Sequence, residues 1–168
     1  MKPDLNTIPD FYKGYIQSVL GDEYKDVLSN VYKNTIAILN SISEEKANYA
    51  YADGKWTIKD IIQHLIDSER IFAFRAVSFA RGEQQKVLGY DHNEYVDNAF
   101  ANDRSFESLL AEFKNSHQST LDLFNSFSNE MLQLSGNANG SDVKVIDIIY
   151  ITAGHQKHHI NVLKERYL

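Results

Sequence analysis

Apolar residues return at intervals of three and four along four long segments of this chain, a spacing that matches one face of an α-helix. These segments cover residues 24–42, 58–81, 105–127 and 145–167. Only two prolines and eight glycines occur in 168 residues, which favours long uninterrupted helices over many short strands. We therefore predict an all-α fold, an antiparallel four-helix bundle, in a single domain that spans residues 1–168.

Local signals at the helix ends place several boundaries. We expect a short helix over residues 11–20 that ends at Gly21, and Asp22 as the cap of the next helix. Thr57 is predicted to be the N-cap of the second bundle helix. Asp60 then lies in the first turn, where a carboxylate favours the positive end of the helix dipole.

Two connections stand out by their length and composition. Residues 82–103, between the second and third bundle helices, are long for a bundle connection and contain aromatic and acidic residues. We expect a partly ordered crossover there, and long connections of this kind are often functional. Residues 135–141, Ser-Gly-Asn-Ala-Asn-Gly-Ser, are expected to form a loop before the last helix.

The last segment interrupts its apolar pattern with Gly-His-Gln-Lys-His-His at residues 154–159. His155 and His159 are four residues apart, so both imidazoles project from one face of the helix, as a bidentate metal clamp requires. Apolar residues flank the pair along that face, which directs both rings into the protein. His158 lies off this face and is expected at the rim of the site, where it is a candidate proton-transfer group.

A metal site of this kind needs a third protein ligand, and His64 is the best candidate. It interrupts a strong apolar helical pattern, whereas His92 and His117 lie in polar stretches and are expected at the surface. Three imidazoles buried together without a shared partner would leave polar nitrogens unsatisfied. The alternative interpretation of His155 and His159 is a pair of hydrogen-bonded histidines at the edge of the core, without a metal.

Composition narrows the classes of function. The net charge is −6, and no basic patch for nucleic-acid phosphates is visible. Without cysteine the chain has no disulfide, no cysteine-type zinc site and no thiol nucleophile of its own, so thiol chemistry needs an external thiol. We see neither a signal peptide nor an apolar stretch long enough to span a bilayer, which predicts a cytoplasmic protein.

The chain resembles the DinB/YfiT-like superfamily of four-helix bundles along nearly its whole length. The motifs that carry the resemblance are Trp-Thr-Ile-Lys-Asp-Ile-Ile-Gln-His-Leu at residues 56–65, the loop around Tyr90 and Asp91, the glycine-containing loop at 136–140, and His155-x-x-x-His159. In combination these motifs are fairly specific for the family. They do not specify one activity, because one fold and one metal site can host many chemistries.

The resemblance implies a divalent metal ion held by one histidine of the second bundle helix and two of the fourth, which here are His64, His155 and His159. Zinc, nickel and manganese are the candidate ions, because imidazole suits several metals. Relatives include bacillithiol- and mycothiol-dependent transferases and proteins described as metal-dependent hydrolases. The resemblance also implies a homodimer that acts on a small molecule.

The expected activity is metal-dependent S-transfer from a low-molecular-weight thiol to a small electrophile. Two alternatives remain open. One is hydrolysis of a small substrate by the same metal site. The other is a metal- or ligand-binding protein without catalysis, in a structural or stress-response role.

Other residues receive less specific interpretations. Gln156 stands where many relatives have Glu, a departure that leaves the metal ligands unchanged. Trp56 is expected in the core beside a helix start, with a place in the pocket wall as the alternative. Tyr90 is expected to order the crossover. Arg75 is expected to form a salt bridge rather than to bind an anion.

Overall fold

The structure is a computed structural model that describes all 168 residues. Its elements, in chain order, are α1 (Asp10–Val19), α2 (Tyr24–Leu39), α3 (Glu44–Ala47), α4 (Ile58–Ala80), α5 (His92–Ala99), a 3-10 turn (Ala101–Asp103), α6 (Phe106–Asn125), α7 (Asn129–Gln133), β1 (Ser135–Ala138), β2 (Ser141–Lys144) and α8 (Val145–Arg166). The predicted helical character is therefore confirmed. The helices lack the length of apolar sequence that crossing a membrane requires.

The four long helices form a ring in which α2, α8, α4 and α6 each pack against two neighbours, while α1 packs against α8. The Tyr167 hydroxyl, just after α8, donates a hydrogen bond of 2.7 Å to the carbonyl of Trp56, just before α4. The end of α8 therefore lies beside the start of α4, and these two helices run antiparallel.

The crossover makes α4 and α6 parallel neighbours. Arg104, just before α6, donates a hydrogen bond of 2.9 Å to Gln63 near the start of α4. Further along both helices, Arg70 pairs with Glu112 at 2.8 Å. The long connection allows this because it returns the chain along the bundle before α6 begins. The predicted crossover is present, and the bundle is not antiparallel throughout, because α4 and α6 run in the same direction.

The helix ends agree with the sequence at α4 and differ at α2. At α4, the Thr57 hydroxyl accepts a hydrogen bond of 3.1 Å from the Asp60 amide, and the Thr57 amide donates one of 2.9 Å to the Asp60 carboxylate. This reciprocal pair confirms Thr57 as the N-cap. At α2 the cap position belongs to Glu23, not Asp22, and no side chain bonds the exposed amides there.

The segment predicted as a loop at residues 135–141 is instead part of a β-hairpin. Strands β1 and β2 pair antiparallel, with Ala138 opposite Ser141, and Asn139 and Gly140 form the turn with φ of 53° and 90°. Asn-Gly favours such a turn because both residues tolerate positive φ. Val87 of the crossover exchanges backbone hydrogen bonds of 2.9 and 2.8 Å with this hairpin. The hairpin thus anchors the crossover, and the fold is not purely helical.

Two apolar clusters fill the bundle, one toward each end. Buried polar side chains fall between these clusters along every long helix. They are Thr35 on α2, His64, Ser68 and Glu69 on α4, His117 and Thr120 on α6, and Thr152, His155 and Gln156 on α8. We call this set, together with half-buried His159 on α8, the polar layer, and it contains the candidate site.

Candidate metal centre

Two helices bring three histidines together in the polar layer. His64 lies in the second turn of α4, and His155 and His159 lie on adjacent turns of α8. The Nε2 atoms of His64 and His155 are 3.1 Å apart, and ring nitrogens of all three residues lie within 4.8 Å of one another. Three imidazole nitrogens are a donor set that suits several divalent transition metals. We call these residues the histidine cluster.

Burial sets the charge of the histidine cluster. It lowers the pKa of His64 to about 4 and the pKa of His159 to about 3, and it lowers the pKa of His155 well below its usual value. Neighbouring histidines lower these pKa values further, because a second positive charge nearby is unfavourable. The imidazoles are therefore neutral at pH 7, the protonation state that binds metal ions.

These lowered pKa values predict that the metal-free protein loses stability on mild acidification. Between about pH 6.5 and pH 4 the unfolded chain binds protons at these histidines and the folded chain does not, so lowering the pH favours unfolding. Each such group changes the free energy of unfolding by about 1.4 kcal/mol per pH unit in this window. Urea denaturation of EDTA-treated protein at pH 7.0, 6.0 and 5.0 measures the slope.

Carboxylates elsewhere in the chain also titrate on acidification, so this test needs a matched variant. The double variant with alanine in place of His155 and His159 lacks two of the three titrating groups. We expect the free energy of unfolding of this variant to fall less steeply over the same pH range. The difference between the two slopes should be about 2 to 3 kcal/mol per pH unit. Equal slopes for the two proteins would contradict the assignment of depressed pKa values to the histidine cluster.

The histidine cluster opens into a pocket of about 400 Å³. Six aromatic side chains line it, namely Phe11, Tyr12, Tyr15, Trp56, Phe72 and Tyr90. The Trp56 ring packs on His64 with centroids 4.9 Å apart and stacks on His159 at 6.4 Å. Trp56 is thus a pocket-wall residue as well as a neighbour of the core.

Two exposed histidines lie at the pocket mouth. The His158 ring lies 5.1 Å from His159 and 5.5 Å from Tyr15, which places it at the predicted rim. His92 is exposed, as predicted, but its ring also lies 6.0 Å from both Trp56 and His64. Local sequence does not indicate this proximity, because α5 carries His92 to the pocket from a distant part of the chain.

Three further residues near the histidine cluster were not predicted as site residues. The Ser68 hydroxyl lies 3.5 Å from Nε2 of His64 and 2.8 Å from the Tyr90 hydroxyl. Tyr15 on α1 packs edge-on against His155 with ring centroids 5.5 Å apart. Only Ser68 has a sequence signal, since it follows His64 by one helical turn on the same face.

Gln156 points to α2. Its side chain is buried, and its Nε2 donates a hydrogen bond of 2.8 Å to the Thr35 hydroxyl. Gln156, which follows His155 in sequence, therefore links α8 to α2 through this hydrogen bond.

The surface location predicted for His117 is wrong. Its side chain is 2% exposed, its ring stacks on Tyr32 at 3.9 Å, and its Nδ1 lies 3.6 Å from a Glu69 carboxylate oxygen. The polar residues next to it in sequence misled the prediction, although His117 follows buried Phe113 by four residues and so shares its inward face.

The salt bridge predicted for Arg75 is not formed. The neighbouring arginines Arg70 and Arg104 form ion pairs with Glu112. The Arg75 guanidinium instead donates a hydrogen bond of 3.2 Å from Nη2 to the carbonyl of Leu88. Arg75 is buried and lines the same pocket as the histidine cluster.

Comparisons with known proteins agree with this fold. The chain is 25% identical over 154 residues to the Oceanobacillus iheyensis protein named "Putative metal-dependent hydrolase OB0782", covering 89% of this chain and 87% of that one. It superimposes with a TM-score of 0.70 and 17% identity on Bacillus subtilis YfiT, described as "a probable metal-dependent hydrolase with an unusual four-helix bundle topology". That match covers 98% of this chain and 90% of YfiT. Residues 28–163 match the sequence pattern of the DinB superfamily, and the chain therefore belongs to that family.

Proposed function

We propose that the protein is a divalent-metal-dependent hydrolase of a small organic substrate, with His64, His155 and His159 as the metal ligands. The observation that carries this proposal is the convergence of three neutral, desolvated imidazoles at an open pocket. Two Nε2 atoms 3.1 Å apart can share only one proton, and one divalent ion would satisfy all three rings. The descriptions of the Oceanobacillus relative and of YfiT as metal-dependent hydrolases support the choice of hydrolysis.

The residues around the histidine cluster suit this role. A divalent ion on three neutral ligands keeps its full charge and would lower the pKa of a water or thiol at an open position. Trp56 and Tyr15 pack against the cluster and shield it from bulk solvent. His158 and His92 are exposed at the mouth, where an imidazole can relay a proton between the pocket and bulk water.

Thiol-dependent S-transfer is the second candidate. The pocket of about 400 Å³ supports it, because a small-ligand site of this size can admit an external thiol to the histidine cluster. In this reaction the thiol sulfur attacks an electrophilic carbon, and the leaving group departs with its bonding electron pair. The thiol proton passes to a base at the mouth, for which His158 is the candidate.

A turnover assay separates these reactions. We expect the zinc-, nickel- or manganese-loaded protein to hydrolyse 4-nitrophenyl acetate without a thiol, at least about 100-fold faster than the variant with alanine at 155 and 159. Consumption of 1-chloro-2,4-dinitrobenzene by cysteine or bacillithiol at a rate that rises with protein concentration above the uncatalysed reaction would instead favour S-transfer. Tight metal binding without turnover of either substrate would contradict both enzymatic proposals and favour a binding protein.

A further inference from the structure

One arginine is buried in the pocket wall without a carboxylate partner. Arg75 is 4% exposed, and the ion pairs of this part of the bundle use Arg70 and Arg104 instead. Its Nη2 bonds the Leu88 carbonyl, while its Nε is buried without an acceptor. Burying a guanidinium is costly, so buried arginines are normally paired with a negative charge. The protein supplies none here.

Arg75 lies on the same face of α4 as His64, the member of the histidine cluster that this helix carries. Residues 64, 68 and 75 are separated by four and seven positions, a spacing that keeps them on one side of a helix. Helical side chains lean toward the N-terminus of their helix, so Arg75 leans toward Ser68 and His64. The Tyr90 hydroxyl, bonded to Ser68, lies close enough that the Arg75 charge counters the rise in Tyr90 pKa caused by burial.

The remaining pocket wall is apolar or neutral. None of its 14 lining residues is acidic, although the whole chain has a net charge of −6. Aromatic rings cover much of the surface that leads to the histidine cluster. A ligand that fits this wall has an apolar or aromatic body and a negatively charged end.

We propose that the pocket binds a small, largely apolar organic oxyanion, whose carboxylate or phosphate pairs with Arg75 while its reactive group reaches the histidine cluster. This inference rests on the proposed function, because it names the substrate class of the same pocket. A carboxylate and a phosphate ester share the oxygen geometry that a guanidinium recognises. Arg75 is a binding residue in this proposal and takes no part in bond making or breaking.

Ligand binding to the metal-free chain tests the proposal separately from catalysis. The probes are benzoate, phenyl phosphate and the uncharged benzamide, titrated into EDTA-treated protein by isothermal titration calorimetry. We expect at least one of the two anions to bind about 10-fold or more tightly than benzamide, since a charge-assisted hydrogen bond contributes that much. Whichever anion binds more tightly indicates whether the natural ligand carries a carboxylate or a phosphate.

Two arginine variants show where the anion binds. Arg75→Gln is expected to weaken anion binding by about 10- to 100-fold and to leave benzamide binding unchanged. Arg70→Gln removes the same charge from a surface ion pair on the same helix and should leave both affinities within twofold. Anion affinity that is equal to that of benzamide, or that survives Arg75→Gln within twofold, would overturn the proposal.

A measurement on the unaltered protein covers the case in which Arg75→Gln does not fold. The arginine Nε–H resonances are followed by NMR while benzoate and phenyl phosphate are added to EDTA-treated, ¹⁵N-labelled protein. We expect the Arg75 resonance to shift in proportion to bound anion, and the Arg70 resonance to stay in place. No shift at Arg75 under saturation would refute the proposal. Because no metal is present, this result is independent of whether the histidine cluster supports hydrolysis.

Discussion

Replacing His155 and His159 together by alanine is expected to abolish stoichiometric metal binding. The two residues supply two of the three nitrogens that lie within 4.8 Å of one another, and His64 alone remains. Loss of a residue that only orients a ligand weakens metal binding by about 10- to 100-fold, so loss of two ligands should exceed about 1,000-fold. Elemental analysis of purified protein, followed by titration of zinc into the metal-free form, measures the change.

The matched control is His158→Ala, which removes the adjacent exposed histidine from the same helix turn. We expect this variant to retain one equivalent of metal with an affinity within about threefold of the original protein. Equal metal content in the double variant and the original protein would remove the histidine cluster as a metal site. The circular dichroism spectrum at 222 nm checks that both variants keep their helices.

Replacing Gly154 by alanine is expected to destabilise the fold strongly. A Cβ at this position would lie 2.1 Å from the Tyr15 carbonyl oxygen and 2.9 Å from the Tyr15 Cα, both backbone atoms of α1. The helix cannot relieve this overlap by a side-chain rotation, so α1 must move away from α8. We expect a loss of about 3 kcal/mol in the free energy of unfolding, which lowers Tm by about 6 to 12 °C.

The control for this substitution is Gly14→Ala, on α1 itself. A Cβ there meets no atom within 4 Å, so the change should raise the free energy of unfolding by about 0.5 to 1 kcal/mol through helix propensity. Urea denaturation of both variants gives the two values. If Gly154→Ala were as stable as the original protein, α1 would not be packed on α8 as closely as the structure has it.

The effect of Gly154→Ala should reach the pocket as well. Tyr15 packs against both His155 and His158, so displacement of α1 removes one wall of the pocket. The glycine beside the first histidine of α8 therefore allows the close approach that positions Tyr15. The sequence contains this glycine, but only the packing of α1 explains why it is needed.

Features that depend on nearby residues could be predicted well. The four long helices followed from apolar spacing, and the Thr57 cap followed from the N-cap preference of threonine with Asp60 in the first turn. The pairing of His155 with His159 also followed from helix geometry alone. His64 was a plausible third residue because a histidine within an apolar helical face must find a partner for its nitrogens.

Features that depend on distant residues were predicted poorly. His117 was assigned to the surface because its sequence neighbours are polar, yet it stacks on Tyr32 of another helix. The composition of residues 135–141 favours a loop, whereas these residues belong to a hairpin at 135–144, whose strands are short and pair only with each other and with Val87. The parallel arrangement of α4 and α6 depends on the direction in which the crossover returns, and local spacing does not encode that direction.

The sequence by itself determined the four long helices, the Thr57 cap and the shared face of His155 and His159, because these depend on hydrogen bonds and side-chain periodicity within a few residues. Only the tertiary structure decided that His64 meets His155 at 3.1 Å, that Tyr15, Tyr90 and His92 complete the pocket, and that Arg75 faces it without a carboxylate. The physical reason is that packing between helices sets which buried polar groups share one space. The spacing of residues along one helix does not show which charged or neutral side chain of a neighbouring helix will lie next to them.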